Sequence, residues 1–369
     1  MADPTIQTFC CHHGNGTDMA ITIMEEFNTD LYNGICLFSS VLGMLGAVYQ
    51  ILPREEFSTQ HRWFSFSATR GRKIITWLAV ADLMASLGVF LRSAIWLNYK
   101  NIMPSKDDDT SVVFCAVSSA LTQYFYTATW VWTLCYAIDM RLVLSQKDSR
   151  LNHYHLAAWL IPAFLTFVGL SLLYIPDANC HTSSSLQAAI YRILPNYIAT
   201  YAPIATVMIA NPVLYKYSVK DMRQIITSTS GQFTSKERDV IDAVKIKFSV
   251  INIAFYVCWV PNLINGVLLW TLWFHLPATC VISIWYLMAL LNPLQALLNC
   301  LVYRRWSSGT ERVILPWRKV EEYFPVEAES ESESSSTIDS NSTTVREEIY
   351  PLLQSAPVNS INEYKSISQ

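Results

Sequence analysis

Seven apolar stretches, each long enough to cross a bilayer, dominate this chain: 31–52, 74–97, 112–142, 154–175, 194–215, 246–274 and 279–303. A membrane helix needs about 20 mostly apolar residues, and every stretch supplies them. An odd number of crossings places the two ends of the chain on opposite sides of the membrane. The expected fold is therefore all-α, a seven-transmembrane helix bundle of receptor-like form. A soluble reading would need several buried helices of more than about 20 residues, against a usual length of ~11–12. Charged residues make up 15% of the chain, well under the ~25% of soluble domains. The net charge of −3 gives no reason to expect nucleic acid as a partner.

Lysine and arginine set the expected orientation. Residues 1–30 contain none. Lys100 and Lys106 fall in one loop, Arg192 in another, and Arg92 lies inside the second stretch. All other basic residues fall in 53–73, 141–153, 216–247 and beyond 303. Basic loops stay on the cytosolic side. Residues 1–30 are thus expected to be lumenal or extracellular, and the C-terminus cytosolic. Residues 1–30 lack the apolar core of a cleavable signal, so the first stretch is expected to act as the insertion signal.

The cysteines and the flanking segments follow that map. Cys115 starts the third stretch on the expected outer side, and Cys180 lies in the next outer loop. An oxidising compartment permits a bridge between them; the alternative is two free thiols. Cys10, Cys11 and Cys280 also fall near the outer face, and Cys36, Cys135, Cys258 and Cys300 lie within apolar helix. Asn15-Gly16-Thr17 is a glycosylation sequon on the translocated side. Residues 304–325 mix basic and aromatic side chains, which suits a membrane-proximal amphipathic segment on the inner leaflet. Residues 326–369 are rich in serine and glutamate and are expected to form a disordered cytosolic tail. Ser235 to Val244 have helix-forming composition and are expected to extend the sixth stretch inward.

Few charges lie within the stretches, and each costs about 2.5–3.5 kcal/mol at mid-helix. Asp82 falls near the middle of the second. It pairs with polar groups such as Asn292, holds a sodium ion, or is simply a structural hydrogen-bonding residue. Arg92 is ten residues further along, about 15 Å of helix rise. It meets an anionic ligand group or reaches for lipid headgroups. Asp139 and Arg141 fall at the inner end of the third stretch, where they form an activation latch or an ordinary interfacial pair. Trp259 precedes Pro261 in the sixth stretch, and Asn292 precedes Pro293 in the seventh. A proline inside a helix removes a hydrogen bond and kinks it. A kinked helix swings its inner end when the aromatic beside it is pushed.

Enzymatic readings find no footing. The seven histidines are scattered with no metal-binding spacing, and neither a serine nucleophile elbow nor a phosphate loop occurs. No catalytic residue, metal or cofactor is expected. The seventh stretch contains no lysine for a retinal Schiff base. A rival reading is a transporter or channel of the same membrane. The absence of an internal repeat argues against it.

Leu78-Ala79-Val80-Ala81-Asp82, Trp159, Cys258-Trp259-Val260-Pro261 and Asn292-Pro293, with Cys115 and Cys180, resemble the rhodopsin-like G-protein-coupled receptors. The Asp-Arg-Tyr triplet of that family stands here as Asp139-Met140-Arg141, and Ala296 replaces the tyrosine after Asn-Pro. More specific strings resemble the ocular albinism type 1 receptor family. They include Thr8-Phe9-Cys10-Cys11, Leu91-Arg92-Ser93, Cys135-Tyr136-Ala137-Ile138-Asp139, Tyr154-His155, Ala210-Asn211-Pro212, Val244-Lys245-Ile246-Lys247-Phe248 and Leu291-Asn292-Pro293-Leu294-Gln295. This resemblance runs from about residue 8 to residue 305.

The resemblance implies a receptor of melanosome and lysosome or late-endosome membranes, present also at the plasma membrane. It implies a small-molecule ligand derived from tyrosine, such as L-DOPA, dopamine or tyrosine itself. It implies heterotrimeric G proteins as partners and control of melanosome biogenesis; arrestin and clathrin adaptors are further expected partners, the adaptors through the sorting signals of the cytosolic segments. The ligand is expected among Arg92, Thr122, Gln123, Tyr126, Trp259 and Asn262. Activation is expected to pass through Asp82, Asp139, Arg141, Trp259, Pro261, Asn292 and Pro293. Thr122 stands where amine receptors place an aspartate, and Arg92 suits a carboxylate. The family's third-loop dileucine stands here as Ile225-Ile226, with Asp221 upstream. Its Trp-Glu tail signal is absent, since Arg318 follows Trp317. The tail offers Glu348 with Leu352-Leu353, and tyrosine signals starting at Tyr323 and Tyr364.

Overall fold

The computed structural model describes residues 23, 26–52, 54–55, 62–99, 109–145, 147, 150–174, 186–230, 235–271, 278–305 and 312–313. Among them are seven long helices: α1 (Thr29–Ile51), α2 (Arg62–Asn98), α3 (Asp109–Leu144), α4 (Leu151–Tyr174), α5 (Leu186–Ser230), α6 (Ser235–Thr271) and α7 (Ala278–Arg305). Each covers most of one apolar stretch, α2 and α5 extending well beyond theirs, and α6 starts at Ser235 as its composition predicts. Asn28 caps α1, its side-chain oxygen accepting from the Leu31 backbone N–H at 3.0 Å. Asp30 in the first turn suits the positive end of the helix dipole.

Order of packing follows order in the chain, closed into a ring. α1 packs on α2 and α7, and α2 also touches α3 and α7. α3 packs on α4 and α5, α4 on α5, α5 on α6, and α6 on α7. The α1–α7 seam is the tightest. A Cβ added at Gly43 would lie 2.2 Å from the Pro293 carbonyl oxygen, and one at Gly46 would lie 2.6 Å from Leu297 Cα. Only glycine lets the two backbones approach this closely. Outward faces are apolar and bare: Phe164, Phe167, Ile209 and Val267 are all more than half exposed. In a membrane that surface faces lipid.

Six helical segments are long and apolar enough to cross a membrane: Thr29–Ile51, Arg70–Asn98, Leu151–Ser171, Ile193–Gln224, Lys245–Thr271 and Ala278–Tyr303. The sequence reading expected seven, and α3 is the difference. Its polar residues Ser119, Thr122, Gln123, Thr127, Thr129, Thr133 and Asp139 are buried. Several of its hydroxyls bond to their own helix, as Thr127 does to the Gln123 carbonyl and Thr133 to that of Thr129, both at 2.8 Å. A helix surrounded by other helices does not need an apolar surface all round.

Arg54–Glu55 and Arg312–Val313 form a two-residue antiparallel ladder. It ties the loop after α1 to the chain beyond α7, a link the sequence did not suggest. Asp242 and Lys245 pair at 2.5 Å on the exposed extension of α6, and this contact holds the Asp242 carboxyl below the usual carboxylate range.

Candidate receptor core

Trp259 lies at the centre of the bundle, fully buried. Its indole N–H donates to Gln295 Oε1 of α7 at 2.7 Å. Two α3 rings meet it edge-on: Tyr126 at 5.2 Å and 77°, Trp130 at 4.7 Å and 85°. Such tilted contacts are the favoured geometry for aromatic pairs. One α6 side chain is thereby attached to α7 by a hydrogen bond and to α3 by packing. Pro261 is also buried, two residues further along α6.

Around this ring the helices are joined by polar side chains. Gln123 of α3 donates to the Thr200 hydroxyl of α5 at 2.9 Å. Trp285 of α7 donates to Asn265 Oδ1 of α6 at 2.9 Å. Asn262 is fully buried on α6. Thr122 donates to the Ser118 carbonyl of its own helix at 2.8 Å. The structure thus gathers Thr122, Gln123, Tyr126, Trp259 and Asn262 on inward-facing surfaces. Arg92 is half-buried on α2, near Cys36 of α1. No carboxylate among the described residues pairs with it.

Asp82 is buried and accepts a hydrogen bond from Asn299 Nδ2 at 2.8 Å. The sequence reading offered Asn292 as its partner. Asn292 lies two turns away on the same α7 face, buried, with no protein partner for either amide atom. Two asparagines seven residues apart share a helix face, and it is the second that stands level with Asp82.

The inner end also differs from the expected latch. Asp139 is fully buried and pairs with Arg70 of α2, Nε to Oδ1 at 2.7 Å. Tyr154 of α4 donates to the same oxygen at 3.2 Å. Arg141 takes no part in this pair; its guanidinium lies over the Tyr217 ring of α5, 4.6 Å from the centroid. Residues two apart on a helix point to nearly opposite sides, so Asp139 and Arg141 serve different neighbours. Asp221 accepts from the Ser145 hydroxyl at 2.8 Å.

Cys115 is disulfide-bonded, and its partner lies outside the described residues. Cys36, Cys135, Cys258 and Cys280 are free thiols. Cys180, Asn15, Tyr323, Glu348, Leu352, Leu353 and Tyr364 also lie outside the described residues. Ile225 and Ile226 fall within α5, where only their backbone is described. Among the described residues, no group of acidic, histidine or cysteine side chains is arranged to hold a metal.

Sequence reasoning missed Arg70, Tyr154, Asn299 and the bonding role of Gln295. Arg70 lies twelve residues before Asp82, about 18 Å along α2, which matches the inner level of Asp139. Arg72 and Lys73 stand beside it, so the sequence could not say which base turns inward.

Seven long helices packed in a ring around buried tryptophans and inter-helix hydrogen bonds, six of them with segments long and apolar enough to cross a membrane, make a helical membrane bundle. Residues 1–359 match the family described as "Ocular albinism type 1 protein", and the chain belongs to that family. It is similar to "G-protein coupled receptor 143" of Homo sapiens, 28% identical over 323 residues that cover 83% of this chain and 78% of that one. It is also similar to "Cyclic AMP receptor-like protein A" of Dictyostelium discoideum, 25% identical over 275 residues, 73% of this chain and 63% of the relative. "Cyclic AMP receptor-like protein C" of the same organism is 18% identical over 201 residues, 52% and 53% of the two chains. The chain spans less than two thirds of either Dictyostelium relative.

Proposed function

We propose that this chain is a seven-helix G-protein-coupled receptor with its N-terminus lumenal or extracellular and its C-terminus cytosolic. The observation that carries the reading is the Trp259–Gln295 bond. Pressure on the Trp259 ring from the ligand side strains a contact shared by two proline-containing helices. Their inner ends then shift relative to α3, which presents a changed surface to a G protein. Family membership supports this reading, as does similarity to the human G-protein coupled receptor 143. The concentration of basic residues on the expected inner side supports the orientation, with α3 as the seventh, internally placed crossing.

The proposed ligand is a small tyrosine-derived molecule such as L-DOPA, dopamine or tyrosine. Thr122 offers no charge to an ammonium group, whereas Arg92, which pairs with no carboxylate among the described residues, suits a carboxylate. The proposed location is the melanosome and lysosome or late-endosome membrane, with a share at the plasma membrane, and the proposed role is control of melanosome biogenesis. Arrestin and clathrin adaptors are the proposed cytosolic partners besides G proteins. A Cys115–Cys180 bridge and a glycan on Asn15 complete the lumenal side.

The test is cellular. Replacing Leu352, Leu353, Ile225 and Ile226 together by alanine moves the receptor to the cell surface, read by surface biotinylation. L-DOPA, dopamine or tyrosine added outside then separates the G-protein subunits, read by energy transfer. A surface-exposed variant that answers none of the three contradicts the ligand assignment. A variant that stays internal at wild-type level contradicts the sorting assignment.

A further inference from the structure

The outer half of the α5–α6 seam holds a groove that the receptor core does not use. It is about 360 Å³ in volume and almost wholly apolar in its lining. Small-molecule pockets run from about 300 to 1,000 Å³. On α5 the lining recurs at Leu194, Ile198, Ala202 and Ala205, which share one helix face and span roughly 16 Å of rise. Leu263 and Trp270 supply the α6 side. The groove opens outward, since Ile198 is 54% and Trp270 47% exposed. In a membrane it faces lipid. Its back wall is one ring. Tyr201 lies against Gly266 of α6, where an added Cβ would stand 2.4 Å from Tyr201 Cζ. Tyr197 stands between Tyr201 and Trp270, 5.4 Å from each and tilted by 55° and 53°. Trp270 is the penultimate residue of α6, at the expected outer surface of the membrane. Its indole N–H meets no protein acceptor among the described residues. The groove is thus apolar along its length and carries one hydrogen-bond donor at its outer end.

We infer that this groove is a binding site for a membrane sterol, its ring system lying against Tyr201, Ala202 and Ala205 and its single hydroxyl accepting from the Trp270 indole. Size, shape and polarity point the same way. A flexible acyl chain must freeze its rotors to fill a fixed groove, whereas a fused ring system is already rigid. A flat guest also brings many atoms into close contact with a ring wall and a floor of alanines. The one polar group of a sterol sits at one end of a long apolar body, as the donor does here. A sterol so seated touches α5 and α6 together on the outer side of Pro261. It favours the arrangement that keeps those two ends in contact, and so biases how α6 turns about its kink. The inference needs only that the bundle spans a membrane, and its test reads binding and not signalling.

The probe is cholestanol carrying a diazirine on its ring system, irradiated with the full chain in phosphatidylcholine nanodiscs and mapped by mass spectrometry. Labelling concentrates on residues 194–205 and 263–270, saturates with sterol fraction and is displaced by cholesterol. Ala202→Phe fills the groove from an exposed position and removes that labelling. Trp270→Phe keeps the ring, loses the donor and raises the half-saturating sterol fraction about fivefold, the loss of one ordinary hydrogen bond. This second variant tests the site even if Ala202→Phe fails to fold. Equal labelling of the lipid face of α4 around Phe164 and Phe167 overturns the proposal, as does undiminished labelling of folded Ala202→Phe or an unchanged half-saturating fraction in Trp270→Phe. A phosphatidylcholine with a diazirine in its acyl chain that labels the groove more strongly than the sterol at equal fraction overturns the sterol assignment. So does a groove that stays unlabelled while Ala202→Cys cross-links to a second copy of the chain.

Discussion

Arg70 and Asp139 join α2 to α3 at the expected inner end through one 2.7 Å contact, with the carboxylate fully buried and the guanidinium nearly so. Tyr154 adds α4 to the same oxygen. Three helices therefore converge on one acidic group. Removing one partner of a buried pair leaves a charge uncompensated, at a cost of about 3–5 kcal/mol.

Arg70→Gln and Asp139→Asn should each lower the melting temperature and change basal nucleotide exchange. Their effects should be strongly non-additive in the double variant. Ligand affinity should stay within about threefold, since Asp139 is roughly 24 Å along α3 from Gln123. Thermal melts, exchange and binding assays read the three quantities. Additive single effects would mean that the pair is not a functional unit. Arg141→Gln, which loses only a contact with the Tyr217 ring, should be much milder.

Gln295→Leu should strand the Trp259 indole N–H without an acceptor. A buried unsatisfied donor costs about 1–3 kcal/mol. Trp259→Phe/Gln295→Leu removes donor and acceptor together and should recover part of that loss in thermal denaturation. The double variant should still signal poorly, because the link between α6 and α7 is gone. A Gln295→Leu protein with unchanged stability and stimulated exchange would remove the bond from the mechanism.

Glycine substitutions should divide sharply by position along α1. Gly43→Ala and Gly46→Ala force a methyl group into the α7 backbone, and overpacking typically costs about 1–3 kcal/mol or more. Gly34→Ala has nothing within 4 Å of the added carbon. It should stabilise the helix by roughly 0.5–1 kcal/mol. The yield and melting temperature of folded protein test this directly; a uniform response of all three would contradict the α1–α7 seam.

Much of the bundle was legible in the apolar stretches because a bilayer demands continuous apolar length; α1, α3, α4 and α7 start and stop within a few residues of their stretches, whereas α2, α5 and α6 run on well beyond theirs at one or both ends. The centrality of α3 was not. Its serines and threonines, several of them buried, are the sign of a helix enclosed by protein. Trp259 was found because tryptophan beside proline is a local signal. Its partner Gln295 was not, since pairing across helices depends on rotation and depth, which a sequence does not state. The same reason explains Asn299 in place of Asn292 and Arg70 in place of Arg141. Each is a choice among chemically equivalent side chains, made by geometry.

Cys115→Ser and Cys180→Ser should have the same effect, and the double variant should add nothing. Loss of a bridge of this kind removes about 2–5 kcal/mol and should leave the glycan on Asn15 immature. Glycosidase digestion and non-reducing peptide mapping check both points. A Cys180→Ser protein that matures normally while Cys115→Ser does not would assign the bridge to another cysteine.

The most direct test of the account is guanine-nucleotide exchange on purified heterotrimers of each main class, catalysed by the full-length chain in nanodiscs. Exchange should rise with added L-DOPA, dopamine or tyrosine, and Trp259→Phe, which keeps a ring in the core but loses the bond to Gln295, should sharply reduce the rise in protein shown to be folded. Monodisperse, folded receptor that stimulates no heterotrimer under any of the three ligands would contradict the central claim.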